Sequence, residues 1–357
     1  MALTHVYVDA TIDGDSGSGT TGDPYGDLQY ALDQSSSGSG HVFWLYGAEV
    51  LTGVLDFSTF GAVDHNSPCL IRGWNGSDAT TAGANMDTGS ISGNNGNFNL
   101  CATKAVSFRW LKLFNTGTAF VLDEMVDYHS IASECEICDS TGGGVDGDAG
   151  GAVHACNIHD ITGIGIDGPA AWNNYLKNGS VRKFTTAISP HHPGVAHGNI
   201  LSLDGASNGI ALSAYSSAIH NSILSSSGTG VGISGSYDSW ITNNLIEGFS
   251  GAGGDAVDSV SFSYHGCNGY YNCTNGFDWG VAVLDLGDDE ALSATPFAKS
   301  GSDTFANRFT HFAPADTGNV RGGAYPSGCR LDKGAVQHAD PAGGGGGRRP
   351  RGLYLGV

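Results

Sequence analysis

One repeat limits this chain more than any other feature. Asn157, Asn178, Asn199, Asn221 and Asn243 stand 21, 21, 22 and 22 residues apart, each followed within three positions by Ile, Val or Leu. A second track, a small residue followed by Ile164, Ile188, Ile210 or Val231, advances by 24, 22 and 21 residues. Periods of about 20–30 residues belong to solenoids, whose units bury nothing alone and gain a core by stacking. The segments inside the period, such as Ala218–Leu224 and Trp240–Ile246, are short, rich in β-branched residues and bounded by Gly, Ser, Asn or Asp. They read as strands, and no apolar pattern of helical period runs through this region. Two or three short strands per coil predict an all-β chain folded as a parallel β-helix. Stacked coils sit about 4.8 Å apart, so the five asparagines are expected to form a hydrogen-bonded ladder along one turn.

Composition agrees and removes competing classes. Of 357 residues 57 are Gly and only 14% are charged, too few charges for a coiled coil or a salt-bridge-laced bundle. The glycines keep no three-residue period, which excludes collagen. With 40% apolar residues, including 15 Phe, 13 Tyr and 6 Trp, the chain can bury a core and is not a disordered sequence. Fifteen Lys and Arg against 35 Asp and Glu give a net charge of −20, which repels nucleic acid and anionic membranes. No run approaches the ~18 apolar residues of a membrane span. The start, Met1 to Asp9, has neither a basic segment nor an apolar one, so synthesis in a cytoplasm without a secretory signal is expected. Eight cysteines in so long a chain are sparse, and reduced buried thiols are the expectation.

The period divides the chain into four segments. Residues 1–41 are expected to cap the helix, with a strand at His5–Val8 and a short amphipathic helix at Asp27–Asp33 whose apolar residues are 28, 31 and 32. Residues 42–277 should hold roughly ten coils, a rod about 50 Å long. Residues 278–341 lose the period, and 342–357 form a separate tail. The opening Val6-Tyr-Val-Asp-Ala-Thr11, Gly19-Thr20 and Asp27-Leu-Gln-Tyr-Ala-Leu32 resembles the N-terminal cap of pectin-lyase-like β-helix proteins. Pro296-Phe297 and Asp332-Lys-Gly-Ala-Val-Gln337 resemble the closing segment of such helices in bacterial surface and phage virion proteins. The resemblance implies an all-β right-handed parallel β-helix. It does not select a chemistry, since such proteins include lyases, hydrolytic tailspikes, adhesins and non-enzymatic virion parts.

Several residues bear on chemistry. Cys135-x2-Cys138 and Cys156-x2-His159 have zinc-like spacing. Their 21-residue offset also stacks Cys135 beside Cys156 and Cys138 beside His159, and core thiols rather than a metal site are expected. Cys267 and Cys273 could bridge a loop, but nothing in the sequence calls for it. His191, His192 and His197 flank a Pro-Gly turn and read as surface residues. Asp123/Glu124, Asp146/Asp148, Asp167 and Asp285/Asp288/Asp289/Glu290 supply carboxylates for a glycosidase pair or a calcium site, yet almost any two acidic loop residues of a β-helix would qualify. Between 120 and 290 the only Lys or Arg residues are Lys177, Arg182 and Lys183, on one loop, which disfavours a lyase. Asn75, Asn178 and Asn272 begin chance glycosylation sequons, and Gly14 to Gly22 is no phosphate loop. No catalytic residue, metal or cofactor is assigned. Trp172, Tyr175, Tyr215, Tyr237 and Trp240 are candidates for sugar stacking.

The tail is the most distinctive segment. Five consecutive glycines, Gly343–Gly347, precede Arg348, Arg349 and Arg351, and then Leu353, Tyr354, Leu355 and Val357 alternate with smaller residues. Such a peptide cannot order alone but can add a strand to another protein, the arginines steering it to an acidic patch. The expected function is a phage virion structural protein, a head decoration or tail component at the virion surface, anchored by this peptide to other virion proteins. A homotrimer is expected by resemblance to tailspikes. The alternative is a tailspike that binds or degrades host-surface polysaccharide.

Overall fold

The computed structural model describes residues 3–12, 14–35, 40–57, 69–74, 89–94, 101–102, 106–114, 116–117, 120–122, 130–147, 151–226, 228–259, 263–279, 284–285, 289–315 and 334–336. The chain is a right-handed parallel β-helix, all of its strand pairs parallel among the described residues. Three stacks of strands run its length, and one turn shows the pattern. Ser217–Ile219 lies in the first stack, Ser222–Ser225 in the second and Val231–Gly235 in the third. Seven turns of this kind, complete and regular, run from Ile131 to Asp278. The coils before Ile131 join the same stacks but carry long insertions, which is why the interval from 42 to 277 overstates the regular part.

Register explains the core. The middle residue of each strand points inward, as the twofold side-chain alternation requires. In the second stack these are Ile137, Ile158, Leu176, Leu201, Ile223 and Ile246, and in the third Val145, Ile166, Ile188, Ile210, Ile233 and Val257, all fully or almost fully buried. The first stack faces them with smaller groups on five coils, Ala132, Val153, Ala171, Ala196 and Ala218, and with Ile241 on the sixth. Small residues opposite large ones let three flat faces pack against one another. The expected apolar track is therefore corrected at its ends. Ile166 and Ile233, not Ile164 and Val231, align with Ile188 and Ile210.

The passage from first to second stack is a tight turn. Each contains one residue in the left-handed region: Glu134, Ala155, Asn173, Gly198, His220, Asn243 and Cys267 on the seven regular coils. The next residue starts the second stack one place before its strand, and there stands the ladder. It consists of Asn174, Asn199, Asn221, Asn244 and Asn268. Each Oδ1 accepts from the backbone N–H of the coil before it at 2.9–3.0 Å, and each Nδ2 donates to a first-stack carbonyl. Cys135 and Cys156 occupy the same column on the earlier coils, and Asp289 ends it by accepting from Asn268.

Two of the expected ladder residues, Asn199 and Asn221, are in this file. Asn157 begins a second-stack strand and Asn243 holds the left-handed turn position, where Asn is well tolerated. Asn178 caps the following loop, bonding Asp204, Ser207 and Phe184. The true column advances by 25, 22, 23, 24 and 21 residues, because loops differ in length while turn geometry is fixed.

A cap covers the first coil, and a strap covers one side of the later ones. The strand Thr4–Asp9 pairs with His41–Val50, and the helix Leu28–Gln34 buries Leu28, Ala31 and Leu32, as its apolar spacing predicts. Asp27 is its N-cap, accepting from the Tyr30 N–H at 2.6 Å. At the other end, Leu292, Phe297, Phe305 and Phe312 lie as a strap over Tyr175, Ile200, Leu224 and Leu245 on the outer face of the second stack. Asp303 clamps it, accepting from Tyr175 Oη at 2.8 Å and Ser202 Oγ at 2.6 Å and pairing with Lys177. Lys299 and Thr295 of the strap both reach Glu247, at 2.6 and 2.7 Å.

Candidate functional site

The outer face of the third stack and the edge leading to the first stack carry the best-developed surface. Register aligns Asp146, Asp167, Ser189, Ala211, Ser234, Asp258 and Asp278 in one outward column. Asp255 precedes Asp258 on the same strand and points outward too, bonding Asn275 on the next coil. Burial raises the carboxyl pKa of Asp258, and the charges of Asp255 and Asp278 raise it further. The column carries no Lys or Arg among the described residues.

Beside this column the connecting turns present aromatic rings. His192, Tyr215 and Tyr237 succeed one another on consecutive coils, ring centroids 5.0 and 5.9 Å apart. Trp240 follows three residues after Tyr237 and stacks on Tyr264 of the next coil at 4.7 Å and 12°. Tyr215, Tyr237 and Trp240 are 53%, 45% and 44% exposed, large rings on or just after the turns between stacks. Such a row is a surface for flat apolar faces, and the carboxylates beside it accept hydrogen bonds.

The other sugar-stacking candidates lie elsewhere. Tyr175 is buried under the strap, its hydroxyl spent on Asp303. Trp172 is half-buried and packs against His197 at 5.3 Å. Asp146 and Asp167 do sit side by side, and His191 Nε2 meets Asp167 Oδ1 at 3.0 Å. Asp289 is not a surface acid; it closes the ladder and bonds His265 Nδ1. Glu290 pairs with Gly269 at the end of the second stack. Asp123, Glu124, Asp148 and Asp288, the side chain of Asp285, and the anchor residues Arg348, Arg349, Arg351, Leu353, Tyr354, Leu355 and Val357 lie outside the described residues.

The zinc-spaced pairs split. Cys135 and Cys156 are core residues of the ladder column, as their stacking predicts. Cys138 and His159 also stack, but outward, and there they meet Glu136, which the sequence did not single out. Cys267 is buried at a turn and Cys273 half-buried, and no disulfide joins them.

No protein-family model matches the sequence, and no curated protein does. Among solved structures the chain is similar to the crystal structure of pectate lyase Pel9A, with a TM-score of 0.43, 10% identity, and coverage of 95% of this chain and 98% of that one. It is also similar to the GH136 lacto-N-biosidase from Eubacterium ramulus, with a TM-score of 0.34, 11% identity, and coverage of 79% and 68%. Likeness at this level bears on neither reaction nor ligand; the β-helix stands on its own strand pairing.

Proposed function

We propose that this protein binds an extended polysaccharide along its rod, on the third-stack face and the adjoining aromatic edge. The observation that carries the reading is the row of Tyr215, Tyr237 and Trp240, three large rings left about half exposed along one edge instead of being buried in the core. The carboxylate column beside it has no cationic residue among the described ones, so a polyuronate would be repelled. The substrate class that fits is a neutral or amino-sugar polymer, its ring faces on the tyrosines and its hydroxyls or amines on Asp167, Ser189, Ser234 and Asp258. Aromatic stacking contributes about 0.5–1.5 kcal/mol per ring, so Tyr215→Ala with Tyr237→Ala should weaken binding by roughly 5- to 150-fold. The test is a titration against a panel of neutral, amino and acidic polysaccharides. Binding by acidic chains alone, or a double variant that binds like wild type, would refute the reading. Reducing ends released by wild type and not by Asp258→Asn would add hydrolysis to binding.

A second reading concerns placement and rests on the tail. A glycine linker followed by three arginines and an alternating apolar peptide is built to attach the rod to a larger particle, such as a virion. Deleting residues 343–357 should leave a folded rod that no longer decorates the particle; normal decoration by the truncated protein refutes it.

A further inference from the structure

On the outer face of the second stack, just beyond the end of the strap, three side chains of different chemistry converge. Glu136, Cys138 and His159 each offer one donor atom, and all three atoms lie within 4.8 Å of one another. His159 Nε2 is 3.1 Å and Cys138 Sγ 3.8 Å from the same Glu136 Oε1. Tetrahedral zinc, with bonds near 2.0 Å to N and O and 2.3 Å to S, separates N from O by about 3.3 Å and S from either by about 3.5 Å, so bringing these two distances to such values asks for shifts of a few tenths of an ångström. The geometry points to a binding site for a borderline-soft divalent cation of the zinc class, held by Glu136 Oε1, Cys138 Sγ and His159 Nε2.

Two further features belong to such a site. His159 Nδ1 bonds Asp160 Oδ2 at 2.8 Å, which aims Nε2 at the cluster in the carboxylate–histidine arrangement common to metal ligands. Asp139 Oδ2, 3.7 Å from Cys138 Sγ, stands where a fourth ligand or a ligand's neighbour would be. The backbone fixes the set. Glu136 and Cys138 are two apart on one strand and so share its outer face, and parallel register puts His159 directly beside Cys138. Thiolate and imidazole favour zinc, cobalt(II) or copper over magnesium and calcium.

Cations already stand near the site. Lys112 Nζ pairs with Glu136 Oε1 at 3.1 Å, and Arg182 holds the other oxygen of Asp139 at 3.0 Å. Lys112 is therefore the competitor that an incoming ion must displace. Binding also releases the Cys138 thiol proton to solvent as the sulfur–metal bond forms.

The experiment is a titration of the full chain with Co²⁺ alone, followed by its thiolate-to-cobalt charge-transfer absorption, with Zn²⁺ used to displace it. Wild type should take one Co²⁺ per chain and show the band. Cys138→Ser should lose the band, His159→Ala should lose the ion, and Cys273→Ser, a thiol on another coil, should change neither. Asp160→Asn, at the surface and outside the core, should weaken binding by roughly 10- to 100-fold. Lys112→Met should tighten it. Absence of the band in wild type, its survival in Cys138→Ser, or an affinity unchanged in both Asp160→Asn and Lys112→Met would overturn the assignment.

Discussion

The asparagine ladder allows a quantitative prediction at Asn221. Its Oδ1 accepts from Asn199 N and Asn199 Nδ2, both at 3.0 Å, while its Nδ2 donates to Ala196 O and Asn244 Oδ1 at 2.9 Å. Asn221 is fully buried, so water cannot replace these bonds. In Asn221→Ala the Asn199 side chain keeps Ala171 O, but the Asn199 backbone N–H loses its acceptor. One orphaned buried N–H costs about 1–3 kcal/mol, and the void left by a carboxamide adds under about 1 kcal/mol, so a loss of about 1–4 kcal/mol is expected. Asn157→Ala, a half-buried residue outside the column, should cost under about 1 kcal/mol.

Asn221→Asp makes the sharper test. The carboxylate still accepts both bonds from Asn199 but has no proton for Asn244 Oδ1 or Ala196 O, and it buries an unpaired charge. Asp289 tolerates the same chemistry because it ends the file and bonds His265. The Asp variant should therefore fall below the Ala variant at pH 7. Urea unfolding followed by far-ultraviolet circular dichroism, with comparison of m-values, measures all three. Equal stability of Asn221→Ala and Asn157→Ala, or a wild-type-like Asn221→Asp, would refute the reasoning.

Three further outcomes follow from local structure. Burial, with the nearby Asp27 charge, raises the Glu49 carboxyl from 4.5 to about 7, so the folded state holds the extra proton. Stability should fall by up to about 3 kcal/mol as pH rises from 4.5 to 7, a slope that Glu49→Gln should remove in thermal melts and that would survive the substitution if another group caused it. Asp303→Ala removes the acceptor of Tyr175 and Ser202, so residues 292–312 should be cut faster in limited proteolysis while the coils stay resistant; an unchanged rate counts against the clamp. At Gly168, φ is +100° and a Cβ would lie 1.5 Å from Gly147 O, whereas Gly205, at +62°, has open space. Gly168→Ala should destabilise by about 4 kcal/mol or more, against about 1 kcal/mol for Gly205→Ala in the same melts, and similar values for the two would contradict this packing.

The sequence by itself determined the architecture. A period near 22 residues, strands too short to stand alone and too few charges for helices leave stacking as the one way to bury Ile166, Ile188, Ile210 and Ile233. It also fixed the cap helix, because three apolar positions on one face suffice to bury it. Tertiary structure decided which asparagines share a column. The ladder follows a left-handed turn residue and precedes the inward apolar residue by two, as in Asn173-Asn174-Tyr-Leu176 and Asn243-Asn244-Leu-Ile246. An even count along the chain misses this, because coils vary in length while turns do not. Cys135 and Cys138 both follow the turn residue Glu134 and stand three apart, so strand alternation sends the first into the core and leaves the second facing outward, where only the neighbouring coil brings His159 beside it. Tyr175 and Tyr215 look alike as sequence, and only the return of the strap, more than a hundred residues later, buries the first and leaves the second bare.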